Sequence, residues 1–223
     1  VHGEQPPFPA YTRAEWRADA VLHTIGVTGS AIGAVALVLL AATQDSLRNA
    51  MALVVYAVGL AATFACSAGY NLVSRPRLKG ILRRLDHCAI FLMIAGTYTP
   101  FALIALPAPL GTWMLVAVWS LAVIGVTLKL ALPQGFERLA VMLYLAQGWT
   151  VLFALGPLQE SLSPTALWLL VGGGAVYTAG VVFHLLERLR FHNVVWHAFV
   201  LAAACLHYAA VVETVLQGQR TSL

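Results

Sequence analysis

Apolar residues in this chain come in long blocks. Seven continuous apolar runs, separated by short polar or Pro/Gly-rich punctuation, fall at 20–42, 50–73, 87–106, 111–132, 139–156, 165–186 and 194–216. A membrane helix needs about 20 mainly apolar residues, whereas a membrane strand needs about 10 of alternating polarity. Runs this long and unbroken predict helices, which satisfy their backbone polar groups internally where lipid offers no partner. The chain therefore reads as an all-α integral membrane protein with an N-terminal segment 1–19, a seven-helix transmembrane domain 20–216 and a tail 217–223.

Composition narrows the class. Of 223 residues, 60% are hydrophobic and only 10% charged, against about 25% charged in soluble domains. A soluble enzyme, a disordered chain and a nucleic-acid binder are excluded. The net charge of +4 then becomes an orientation signal. Eleven of the thirteen Lys and Arg (Arg13, Arg17, Arg75, Arg77, Lys79, Arg83, Arg84, Lys129, Arg138, Arg188 and Arg190) fall on one side of the alternating loops, and only Arg48 and Arg220 on the other. By the positive-inside rule the N-terminus is expected in the cytoplasm and the C-terminus outside. Segment 1–19 lacks the basic start and cleavage pattern of a secretory signal, so the first span is expected to be retained. Cys66, Cys88 and Cys205 lie in or beside apolar runs and make no disulfide framework.

The polar residues inside these runs carry the candidate chemistry. Glu15, Asp19 and His23 are spaced four apart, which puts them on one face of helix 1. Ser67 and Asn71 are one turn apart at the end of helix 2, Asp86 and His87 open helix 3, and Asn193 and His197 are one turn apart at the start of helix 7. All belong to helix ends that the charge pattern assigns to the cytoplasmic side. Ionisable groups at membrane depth are costly and mark a site or a buried network. His207, deeper in helix 7, is read as a buried hydrogen-bonding residue, and His184 and His192 as solvated ones. Gly172, Gly173 and Gly174 predict a close helix approach. Helix 7 has no lysine for a retinal Schiff base, and the only lysines are Lys79 and Lys129.

The stretch Arg84-Leu85-Asp86-His87-Cys88-Ala89-Ile90, running on to Ile94-Ala95-Gly96-Thr97-Tyr98-Thr99-Pro100-Phe101, resembles the third-helix signature of the haemolysin III family. This is the bacterial branch of the progestin and adipoQ receptor (PAQR) superfamily. Trp196-His197-x-Phe199-Val200-Leu201 with Cys205-x-His207 is similar to the family's seventh helix, and Glu15-x3-Asp19-x3-His23 to its first. The resemblance covers essentially the whole chain. It implies a multi-pass protein of the bacterial inner membrane with seven helices and an internal N-terminus. In better-understood members it also implies one zinc near the cytoplasmic face, held by a His at the end of helix 2 and two His at the start of helix 7. An aspartate and a serine nearby, here Asp86 and Ser67, become candidate catalytic groups for hydrolysis of a lipid amide, as in ceramidases.

This chain departs from that pattern at the ligands. Asn71 and Asn193 stand at two of the three zinc positions and only His197 matches. An amide oxygen is a poor zinc ligand beside imidazole. Two outcomes stay open: a metal site rebuilt from His197, Asp86, His23 and a cysteine, or a metal-free network in which Asn71 and Asn193 hydrogen-bond across helices 2 and 7. The expected function is membrane or lipid homeostasis around a cytoplasm-facing polar site, with membrane lipids as partners or ligands. The alternatives are a zinc-dependent lipid-amide hydrolase and, ranked last for want of a polar-lined helix, a pore-forming haemolysin.

Overall fold

A computed structural model describes residues 11–132 and 137–221. Residues 1–10 of the predicted N-terminal segment and 222–223 of the predicted tail lie outside the described residues. Among those described, seven helices are long and apolar enough to cross a membrane. They are α1 (Arg13–Ala42), α2 (Leu47–Leu72), α3 (Pro76–Pro100), α4 (Leu110–Ala131), α5 (Glu137–Ser161), α6 (Pro164–Leu185) and α7 (His192–Thr221).

Local chemistry sets several ends. Thr12 and Glu15 form a reciprocal capping box that starts α1. Ser163 caps α6, with Pro164 in its first turn, where the missing N–H costs nothing. Apolar side chains then divide between two surroundings. Leu37, Leu53, Tyr56, Phe91 and Val118 are fully packed inside the bundle, while Val35, Leu39, Val58, Val123 and Phe153 point outward, as a surface facing lipid requires.

Two spans are irregular. Beyond Pro100, α3 continues as a π-helical turn, Phe101–Ala105, where proline cannot supply its ladder hydrogen bond. In α5 the α-helix Glu137–Gly148 gives way to a 3-10 segment, Trp149–Ala154, before Leu155–Ser161 resumes. The cause is Tyr98 on α3. Its hydroxyl donates to the Gly148 carbonyl at 2.6 Å and accepts from the Val151 N–H at 2.7 Å. A side chain inserted into the ladder is a standard origin of such breaks.

The helices pack as a ring in which α3 is the member with contacts to α2, α4 and α5. α1 packs on α2, α2 on α3 and α3 on α4, while α6 lies along α7 and α7 closes back onto α1. Between α5 and α6 the ring is loose. Gly173 is the close-approach glycine of its run, since any β-carbon there would strike the His207 ring, whereas Gly172 and Gly174 have open space beside them.

Candidate functional site

The site is assembled from α1, α2 and α7. Asp19 and His23 lie one turn apart on the inward face of α1, and both are buried. The Nδ1 of His23 sits 2.8 Å from the Asp19 backbone carbonyl. A carbonyl can only accept, so Nδ1 carries the proton and Nε2 is left as an acceptor. That atom faces α2, 3.2 Å from Ser67 Oγ and 3.5 Å from Asn71 Nδ2. On the other side, Asp19 Oδ1 accepts from His197 Nδ1 at 2.6 Å, the short spacing of a charge-assisted bond. The two imidazoles meet edge to face, with centroids 4.4 Å apart. One aspartate thus orients two histidines from different helices, His23 through its backbone carbonyl and His197 through its carboxylate.

The asparagines complete the junction. Asn193 Nδ2 donates to Asn71 Oδ1 at 3.3 Å, and Asn71 Nδ2 also donates to the Ser67 carbonyl at 3.0 Å. The helix 2–helix 7 bond considered in the sequence is present. Ser67 also lies near Asp86.

Other candidates lie apart from this group. Glu15 belongs to the capping box and accepts from the Phe191 N–H at 3.0 Å, fastening the start of α1 to the turn before α7. His87 lies 3.6 Å from Glu137, which also binds Lys129 at 2.9 Å and Arg83 at 3.0 Å. Sequence reasoning missed this ion cluster because Lys129 reads as an ordinary flanking charge, although only 4% of its side chain is exposed. His207 bonds the Leu170 carbonyl at 3.1 Å, far along α7 from His197. His184 and His192, read as solvated, are half-buried and line a cavity, with the His192 Nδ1 atom itself buried.

That cavity, of about 1000 Å³, joins the site to the apolar interior. Asn71, Asp86, Asn193 and His197 line its polar end, and Phe101, Leu106, Met114 and Leu158 line the far end. Tyr11, just before α1, also lines it, and burial pushes its phenol up to about 12, so the group stays neutral. His197 faces the cavity, while Asp19 and His23 stand behind it.

The three-imidazole set implied by the resemblance is absent, because the amides at two of its positions are engaged with each other, with Ser67 and with His23. A different set is compact enough for a metal. Asp19, His23 and His197 offer donor atoms that all lie within 4.8 Å of one another. Two imidazoles and a carboxylate suit zinc chemically. The carboxylate among them is Asp19 rather than Asp86, and no cysteine takes part among the described residues.

Seven apolar helices around a polar cluster and an amphipathic cavity define a multi-pass membrane protein with a buried site. The chain belongs to the haemolysin-III-related family, whose model matches residues 14–208. It is 34% identical over 199 residues to hemolysin-3 of Bacillus cereus, covering 89% of this chain and 91% of that protein. It is 35% identical over 201 residues to the hemolysin-3 homolog of Bacillus subtilis, covering 90% and 94%. A 26% identity over 205 residues to the human monocyte to macrophage differentiation factor, covering 88% and 83%, extends the relation to the PAQR superfamily. The spans and the bacterial relatives mark a multi-pass protein of the bacterial inner membrane.

Proposed function

We propose that this protein binds a membrane lipid, polar group toward Asn71, Asp86 and His197 and chain in the apolar cavity, and acts in membrane or lipid homeostasis. The observation that carries the reading is the cavity itself, polar at one end and apolar at the other within the span of the helices. Its volume lies at the upper end of the range for ligand pockets. The N-terminus is cytoplasmic and the C-terminus external in this reading, supported by the one-sided distribution of Lys and Arg. Native mass spectrometry of protein released from bilayer nanodiscs tests it. One lipid retained per chain, and released more readily after Asp86→Ala, is expected; wild-type protein that carries no lipid overturns the reading.

The Asp19, His23 and His197 cluster favours a second reading, metal-dependent hydrolysis of a lipid amide. These three side chains would hold the ion, and a bound zinc would lower the pKa of water near neutrality. In this reading Asp86, on the cavity wall near Ser67, would move a proton between water and a leaving amine. Elemental analysis of purified protein decides this reading. Near one zinc per chain, lost in His197→Ala, supports it, and no metal in either protein sinks it.

A further inference from the structure

Polar side chains do not stop at the polar end of the cavity. Tyr98, Trp149, Tyr177, Thr178 and His207 also line it, well inside the spans α3, α5, α6 and α7. Three of them are satisfied by the protein. The Tyr98 hydroxyl is taken up by the Gly148 carbonyl and the Val151 amide. Trp149 Nε1 donates to Thr178 Oγ1 at 3.2 Å, and that hydroxyl donates to the Gly174 carbonyl at 2.8 Å. Tyr177 and His207 keep hydrogen-bonding capacity to spare.

His207 Nε2 lies 3.1 Å from the Leu170 carbonyl. A carbonyl only accepts, so Nε2 carries the proton and Nδ1 is left as an acceptor. Gly173 holds the ring in place by leaving the space that it fills. The Tyr177 ring stands beside it, with centroids 5.5 Å apart. Among the described residues neither the Tyr177 hydroxyl nor His207 Nδ1 has a hydrogen-bond partner, and neither atom is sealed within the protein. A third hydroxyl, that of Tyr56 on α2, lies near Tyr177, wholly buried and without a partner. Unmet polar groups are costly in hydrocarbon.

The chemistry of the pair selects its occupant. Nδ1 needs a donated proton, which a plain acyl chain, an ester or a ketone does not have. The phenol can donate or accept, so a hydroxyl, which does both, matches the two together. Position adds a second constraint. His207 lies ten residues beyond His197 on α7, about 15 Å at the helical rise. That is the reach of roughly twelve carbons of an extended chain.

We propose that Tyr177 and His207 form a second polar station in the cavity, which binds a hydroxyl carried partway along the chain of an amphiphile whose head lies at Asn71 and His197. This rests on the lipid-binding reading and adds the ligand class, a lipid hydroxylated far from its headgroup.

The test offers the full chain in nanodiscs three monoacylglycerols at equal mole fraction and reads retention by native mass spectrometry. Their chains are octadecanoyl, 12-hydroxyoctadecanoyl and 2-hydroxyoctadecanoyl. Wild-type protein is expected to retain the 12-hydroxy lipid roughly tenfold over the unsubstituted one, the upper scale of one hydrogen bond. The 2-hydroxy lipid, whose hydroxyl lies beside the head, gains no such preference. Tyr177→Phe keeps the ring and removes the hydroxyl, and His207→Phe removes the acceptor. Each lowers the preference toward unity, and unchanged retention of the octadecanoyl lipid reports that the cavity is intact. If His207→Phe does not fold, Tyr177→Phe decides alone. Equal retention of all three lipids by wild type, a gain shared by the 2-hydroxy lipid, or a preference undiminished in Tyr177→Phe overturns the station while the lipid reading stands. Retention of none of the three by wild type overturns the lipid reading and the station together.

Discussion

The two sides of the ring are held together in opposite ways. Where α1, α2 and α7 meet, a carboxylate, two imidazoles, a hydroxyl and two amides bond to one another across three helices. Where α5 faces α6, among the described residues one indole–hydroxyl bond does that work. Inside a bilayer there is no hydrophobic gain from helix association, so packing and polar bonds set its strength. The first side is accordingly a closely bonded framework around His197 and the second a sparsely bonded wall.

Asp19→Ala attacks the fixed side hardest. It leaves a buried and a half-buried imidazole without the carboxylate beside them, and breaking a buried pair costs about 3–5 kcal/mol. In detergent the melting temperature should fall by roughly 10 °C; an unchanged melt would mean that the cluster does not hold α1 to α7. Gly173→Ala comes next, since the added methyl must displace the His207 ring. Overpacking of this kind costs about 1–3 kcal/mol, and a stabilised variant would contradict the close approach of α6 and α7.

A double-mutant cycle on Asn71→Ala and Asn193→Ala should give a coupling of about 0.6–2 kcal/mol, and additive single effects would show that the two amides do not bond. The smallest effect belongs to the loose side. Thr178→Val should change stability by less than about 1 kcal/mol, the scale of one interhelical bond in a membrane, and a loss as large as that of Asp19→Ala would erase the contrast between the two walls.

Much of the fold is legible in the sequence, because a span announces itself by length and continuity alone. The placement of Glu15, Asp19 and His23 on one helical face follows equally from their spacing. What spacing cannot supply is which helices turn these faces toward one another. The sequence puts Asp86 in a rebuilt metal set with His197 and His23, and only the packing of α1 against α7 shows Asp19 in that place. The same limit hides the Lys129–Glu137–Arg83 cluster, whose members come from three helices. Tyr98 stands out in the sequence as part of the Gly96-Thr97-Tyr98-Thr99-Pro100 motif, but its partner segment is some fifty residues away and carries no matching signal. His207 reads as a buried hydrogen-bonding residue, and it is one, with the Leu170 carbonyl as its partner.

The Tyr98 hydroxyl has a mechanical consequence. A mid-membrane helix that gave up its ladder bonds would leave a bare carbonyl and a bare amide in hydrocarbon, each costing several kcal/mol. Because Tyr98 takes over the Gly148 carbonyl and the Val151 amide, the bend in α5 is riveted to α3. The interruption before Leu155–Ser161 is thus a joint whose two freed backbone groups stay satisfied in hydrocarbon, their partner borrowed from a neighbouring helix rather than from water.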